Sequence, residues 1–228
     1  LIGRNIVGFD PADDGEDKCA RADKIQGVFT EILDWESGKD ELIKNAKDVW
    51  SVAKMKNATV SYDTIGVGAF VGGYIDEQNQ VHRAKVPHFA FHAGGEVIDP
   101  DGPSDPHNDQ SPKNKNEYLN LKAQAWAKTA RKAMLTFNAV NRGHPIQPED
   151  VLSFSSEIDQ KRLDALFNEL CVPWWVDSEG KKRVVPKKKL KADMGVKSHN
   201  MADAVIAADN VRITNRPSAI FGTYGNSR

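Results

Sequence analysis

The chain opens with short apolar runs cut off by acids and turn residues. Arg4-Asn5-Ile6-Val7-Gly8-Phe9-Asp10 reads as a strand that stops on an acid, and Pro11 forces a turn behind it. Lys18 to Ala22 and Gln26 to Leu33 follow as second and third strands, rich in β-branched and aromatic residues. From Lys39 to Lys56 the period changes. Leu42, Ile43, Ala46, Val49, Trp50 and Ala53 recur at spacings of three and four, which predicts a helix. Ala58 to Asp63 is a strand that again ends on an acid. Gly66-Val67-Gly68 leads into a helix through Tyr74, and Val86 to His92 is a fifth strand. Residues 99–117 are dominated by Pro, Asp and Asn and read as a long surface loop. Glu117 to Asn138 reads as a helix burying Leu119, Leu121, Ala125, Trp126, Ala130, Ala133 and Phe137, and Ile158 to Leu170 as another. Val172 to Val176 and Arg183 to Val185 form a hairpin through Asp177-Ser178-Glu179-Gly180, and Asn200 to Asn210 a last short helix.

Three hairpin-linked strands followed by helix-connected strands predict an α/β fold. Its mixed five-stranded sheet carries helices on both faces, with the hairpin and the segments 99–117 and 141–157 as additions. The 228 residues suit one domain. At 39% hydrophobic and 28% charged, they exclude collagen, coiled coil and wholesale disorder. No run approaches the roughly 20 apolar residues that cross a bilayer, so no membrane partner is expected. Cys19 and Cys171 form no metal motif and are expected to be buried, reduced thiols. A first residue other than Met suggests a fragment of a longer protein.

Two of the predicted strands end in Asp10 and Asp63. A helical crossover between them lets the strands lie side by side, so both carboxylates would emerge on one sheet edge, where open α/β sheets place their sites. Close carboxylates repel, and either one takes a proton or a cation sits between them. Oxygen-only ligation selects hard ions such as Mg²⁺ or Mn²⁺. Asp203, set among alanines and Val205, could complete the group, whereas Asp209 on the same helix is expected to be exposed. Turn capping explains a strand-end Asp equally well on this evidence. No phosphate loop of the form G-x-x-x-x-G-K-[ST] is present. The glycines of residues 66–73 have the wrong spacing for a dinucleotide fingerprint and are read as permitting tight packing near Asp63.

GFDPADDGED, SYDTIGVGA, NKNEYLNLKAQAW and SHNMADAVIAA, in that order, resemble the carboxy-terminal nuclease domain of the large terminase subunit of tailed double-stranded DNA phages. The resemblance implies a ribonuclease H-like fold and a metal-dependent endonuclease that cuts concatemeric viral DNA during packaging. It implies that Asp10, Asp63 and Asp203 hold two ions, Mg²⁺ or Mn²⁺, for phosphodiester hydrolysis. It also implies an ATPase motor in the same chain, a small terminase subunit and a portal protein as partners, and action in the host cytoplasm. One departure is that Asn200 stands where some members have His, while His199 lies four residues before Asp203. His199 is an accessory ligand or a cap or surface residue. Asp13 and Asp14 are outer ligands or turn caps.

The charge pattern adds one feature. Residues 180–197 hold eight Lys or Arg against one Asp, in a chain whose net charge is −1. Lys181, Lys182 and Arg183 would precede a strand, and Lys187, Lys188, Lys189 and Lys191 would follow it. Such a projection could guide double-stranded DNA past the repulsive acids, or be a solvated surface or a docking patch. Two other functions share parts of this pattern. One is a Holliday-junction resolvase or transposase of the same fold. The other is a non-catalytic DNA-binding or portal-docking module that does not need the acids.

Overall fold

The computed structural model describes residues 4–13, 17–38, 41–195 and 198–211. Strand β1 (Asn5–Asp10) is buried along nearly its whole length, as a central strand must be. It pairs antiparallel with β2 (Lys18–Ile25) and parallel with β4 (Ala58–Asp63). β2 turns through Gln26 and Gly27, both at positive φ, into antiparallel β3 (Val28–Glu36). β5 (His88–Phe91) pairs parallel with β4.

The sheet has six strands, in the order β5-β4-β1-β2-β3-β6, where the sequence suggested five. The extra strand, β6 (Ser153–Phe154), pairs parallel with β3 inside the segment that could not be placed from sequence. Two residues are too few to display an alternation.

One face is covered by α1 (Leu42–Met55) and α2 (Val71–Val81), which pack Val49, Trp50, Ala53, Val71 and Ile75 on Val7, Phe9, Val60 and Tyr62. Ile43 falls off the buried stripe and is exposed. The opposite face receives α4 (Leu121–Arg142), α5 (Gln160–Cys171) and α7 (Asn200–Asp209). Asn120 caps α4 by accepting the Ala123 N–H at 3.0 Å, and Gly143 ends it at φ +68°. Leu121, Ala125 and Trp126 are buried as predicted, but Ala130, Ala133 and Phe137 are exposed. The second half of α4 instead buries Thr129 and Lys132. That polar contact is invisible to apolar periodicity.

Its cause is Asp209, which is buried rather than exposed. It accepts Lys24 Nζ at 2.6 Å, Lys132 Nζ at 2.9 Å and the Thr129 hydroxyl at 3.0 Å. Cys19 is buried and Cys171, at the end of α5, is exposed. The 99–117 segment is a turn-rich excursion that ends in the short helix α3 (Asn114–Glu117) and is tied down where Pro103 pairs with Lys113.

All ten residues of α7 are buried. Gly8 lets this helix lie directly on β1, since a Cβ there would meet the Ala204 carbonyl oxygen at 2.1 Å and Ala208 Cβ at 2.8 Å. Ser61 of β4 donates to the Ala207 carbonyl at 2.8 Å. The helix that carries Asp203 is thereby fixed against the two strands that carry Asp10 and Asp63.

Candidate active site

Parallel pairing of β1 with β4 runs in register from Asn5–Ala58 to Phe9–Tyr62, so Asp10 and Asp63 leave the same end of the sheet from adjacent strands. Asp203, in the first turn of α7, faces them. All three line one cleft of about 500 Å³, together with Asp13, Asp17, Lys122, Lys187 and Asn200. Behind Asp63 the chain turns through a 3₁₀ segment, Gly66–Phe70. The expected packing role of its glycines holds at Gly68, where a Cβ would fall 1.8 Å from the Asp63 carbonyl oxygen.

Asp203 is the most heavily partnered acid in the cleft. Lys122 Nζ lies 2.8 Å from its Oδ1, Lys187 Nζ 3.2 Å from its Oδ2, and His199 Nε2 3.6 Å from Oδ2. Burial opposes its charge, but the two ammonium groups outweigh burial and hold its carboxyl far below the usual range. Asp10 goes the other way. Burial, against the pull of Lys187, and the nearby Asp203 and Asp63 charges raise its pKa well above normal. Asp63 is raised too, by burial and Asp203, against an N–H donated from Ile65 at 3.0 Å. Asp10 is therefore a buried carboxyl short of positive charge, beside an acid that has claimed both lysines.

His199 holds the N-cap position of α7, but its side chain makes no cap hydrogen bond and does not reach the surface. Only 1% exposed, it accepts from Lys122 Nζ through Nε2 at 3.3 Å, and its ring meets Trp126 edge-on with centroids 5.6 Å apart. Burial, with Lys122 and Lys187 beside it and against the pull of Asp203, lowers its pKa to about 4, so it is neutral near pH 7. The amino terminus of α7 is capped from another helix, as Glu169 on α5 accepts the Ala202 N–H at 2.9 Å. Burial raises Glu169 to about 7 in spite of that bond.

The basic strip divides in two. Lys181, Lys182 and Arg183 lie within strand β8 (Lys181–Val184), which pairs with β7 (Trp175–Ser178) in a separate hairpin. Lys187, Lys188, Lys189 and Lys191 do not flank that hairpin as a second arm but belong to a helix, α6 (Lys187–Met194). Pro186 presets its start, which the charge pattern alone did not reveal. Lys187 lines the cleft while remaining partly exposed, and Lys188 and Lys189 are exposed and do not line it. Asp13 stands exposed on the cleft wall, and Asp14 and Lys197 lie outside the described residues. Lys122 was not singled out from the sequence. Its signal was a lysine beside the buried Leu121 and Ala123 at the start of a helix.

Three carboxylates on one cleft, two of them with raised pKa values, suit hard divalent ions in donor type. Among the described residues, however, no three His, Cys, Asp or Glu side chains stand together closely enough to enclose an ion. The space between the acids is served by the ammonium groups of Lys122 and Lys187, which ions would have to displace from Asp203.

No family model matches the chain, and no curated protein sequence does. Solved structures do. The nuclease domain of the large terminase subunit gp2 of bacterial virus Sf6 is 26% identical, with a TM-score of 0.82 over 92% of this chain and 90% of that one. A lysine-to-alanine variant of that domain, solved with manganese and beta-thujaplicinol, is 25% identical at the same TM-score and coverage. A further variant structure, solved with calcium, is 26% identical, with a TM-score of 0.81 over 92% of this chain and 89% of that one. The shared fold is the ribonuclease H-like mixed sheet flanked by helices, and the chain groups by structure with the nuclease domains of phage large terminase subunits.

Proposed function

We propose that the chain is an endonuclease that hydrolyses phosphodiester bonds in viral double-stranded DNA during genome packaging, with Asp10, Asp63 and Asp203 as its metal-holding acids. The observation that carries this reading is the gathering of these three carboxylates, from β1, β4 and α7, onto one cleft in a fold shared with terminase nuclease domains. Manganese and calcium appear with those relatives, and the donor set here suits Mg²⁺ or Mn²⁺. Asp10, Asp63 and Asp203 would hold two such ions, whose chemistry would be activation of a water and stabilisation of the leaving 3′ oxygen.

The protein's own groups prepare this chemistry. Lys122 and Lys187 keep Asp203 ionised before an ion arrives. Neutral His199 packs behind Asp203 without adding charge to the cleft. Asp13 and Asp17, which line the cleft, would make outer contacts. Lys181, Lys182 and Arg183 on the hairpin, with Lys188, Lys189 and Lys191 on α6, provide positive charge that would position phosphates without reading bases, so sequence specificity should be low. No helix among the described residues is long and apolar enough to cross a membrane. The motor domain, small terminase subunit and portal protein belong to this reading as partners.

The test is nicking of supercoiled plasmid in Mn²⁺, compared with EDTA, together with cleavage of a linear duplex and of a four-way junction. Metal-dependent nicking with no preference for the junction is expected. Preference for the junction would favour a resolvase, and absence of nicking a non-catalytic module.

A further inference from the structure

A second polar cavity lies at the opposite end of β1 from Asp10. Its volume is about 180 Å³, and Arg4, Lys24, Lys128, Lys132 and Asp209 are among its walls. Lys24 and Lys132 are less than a tenth exposed, and both direct an ammonium at the same oxygen, Oδ1 of Asp209, at 2.6 and 2.9 Å. The other oxygen accepts from Thr129, whose hydroxyl in turn accepts from Asn210 at 3.1 Å. The carboxylate is thus fully used, and one negative charge faces two buried positive ones. Lys128, one helical turn before Lys132, adds a third ammonium and makes no salt bridge among the described residues. Lys128 lines the cavity from an exposed position, with Lys132 and Lys24 nearby. Glu149 and Asp150 also line the cavity, and Asp150 is engaged by His107 at 3.1 Å, so Arg4 and three lysines stand against three carboxylates.

Burying net positive charge is costly unless an anion compensates it. Each ammonium has three N–H donors, and Asp209 takes one from Lys24 and one from Lys132, so donors remain to serve a ligand. The volume is below the roughly 300 Å³ at which organic ligand pockets begin, which excludes a nucleoside but admits one tetrahedral oxyanion. We propose that the cavity formed by Lys24, Lys128, Lys132 and Arg4 is a binding site for a single phosphate group, separate from the acid cleft. Its source is either free inorganic phosphate or one phosphodiester of a DNA backbone. This site stands whether or not the chain is a nuclease.

The test uses the whole chain in EDTA, with inorganic phosphate as probe and ³¹P NMR line broadening as readout. Saturable binding is expected in the wild type. Lys128→Gln should weaken it about tenfold, the loss of one charge-assisted hydrogen bond, with the fold confirmed by circular dichroism. Lys187→Ala, which alters the acid cleft, should leave it unchanged. Displacement of phosphate by a short duplex would assign the site to DNA backbone, and no displacement would assign it to the free ion. No saturable binding, unchanged affinity in Lys128→Gln, or loss in Lys187→Ala would overturn the proposal.

Discussion

Gly8→Ala is a one-methyl test of how the acids are brought together. The added Cβ would stand 2.1 Å from the Ala204 carbonyl oxygen and 2.8 Å from Ala208 Cβ, both on α7. Neither is a flexible chain end. The oxygen belongs to a buried helix backbone, and that helix is also tied to β4 through the Ser61–Ala207 bond. Reaching even a tight contact requires α7 to retreat from β1 by about 1 Å. Asp203, one residue before Ala204, moves with it, while Asp10 stays on β1. Overpacking of this kind costs about 1–3 kcal/mol. For a domain of roughly 200 residues that corresponds to a fall in Tm of about 2–12 °C. A misplacement of about 1 Å at a reacting centre can cost about 100-fold in rate. Thermal unfolding and Mn²⁺-dependent plasmid nicking at 20 °C measure the two effects separately. A folded Gly8→Ala protein with wild-type Tm and wild-type nicking would refute the reasoning that close contact between β1 and α7 sets the site.

Other expectations follow from the charges. Asp10→Asn should raise Tm in metal-free buffer, because Asp10 is a buried carboxyl beside two others. Asp203→Asn should lower stability by about 2–3 kcal/mol, less than a fully buried pair because Lys187 is partly exposed. Differential scanning calorimetry in EDTA reads both signs. Glu169 has a folded pKa of about 7, above its unfolded value, so its contribution is full below about pH 4.3 and lost as pH rises through 7. Glu169→Gln keeps an acceptor for the Ala202 N–H, and in urea titrations it should gain about 3 kcal/mol over wild type at pH 8 and nothing at pH 4. Replacing Lys188 and Lys189 by Ala should flatten the slope of log affinity against log salt for duplex DNA by up to about two units, roughly one per lost contact. An unchanged slope would assign the exposed end of α6 to another task.

The strand-end acids could be found in the sequence because β1 and β4 announce themselves as apolar runs stopping on Asp, and a crossover makes them neighbours. Asp203 could be found because an acid among alanines on a buried helix needs a reason. Polar partnerships across the core were hidden. Asp209 looked like a surface acid, since its partners Lys24 and Lys132 lie 185 and 77 residues away in sequence and no local pattern joins them. Lys187 looked like one of a run of surface lysines, because charge density does not say which member of a run turns inward. His199 looked like a helix cap, although the cap comes from Glu169 on another helix. Phe137 followed the stripe of α4 on paper and is solvent-exposed, because Lys132 and Thr129 turn the buried face toward Asp209. Apolar periodicity thus located the elements, and the buried ion pairs that orient them appeared only in three dimensions.

Asp10, Asp63 and Asp203 are proposed to form one metal-dependent hydrolytic site. The most direct test is the nicking of supercoiled plasmid in Mn²⁺ by wild type and by Asp10→Asn, both confirmed as folded. Nicked circles are expected from the wild type, none when EDTA replaces Mn²⁺, and none from Asp10→Asn at any Mn²⁺ concentration. Wild-type nicking by folded Asp10→Asn would contradict the proposal.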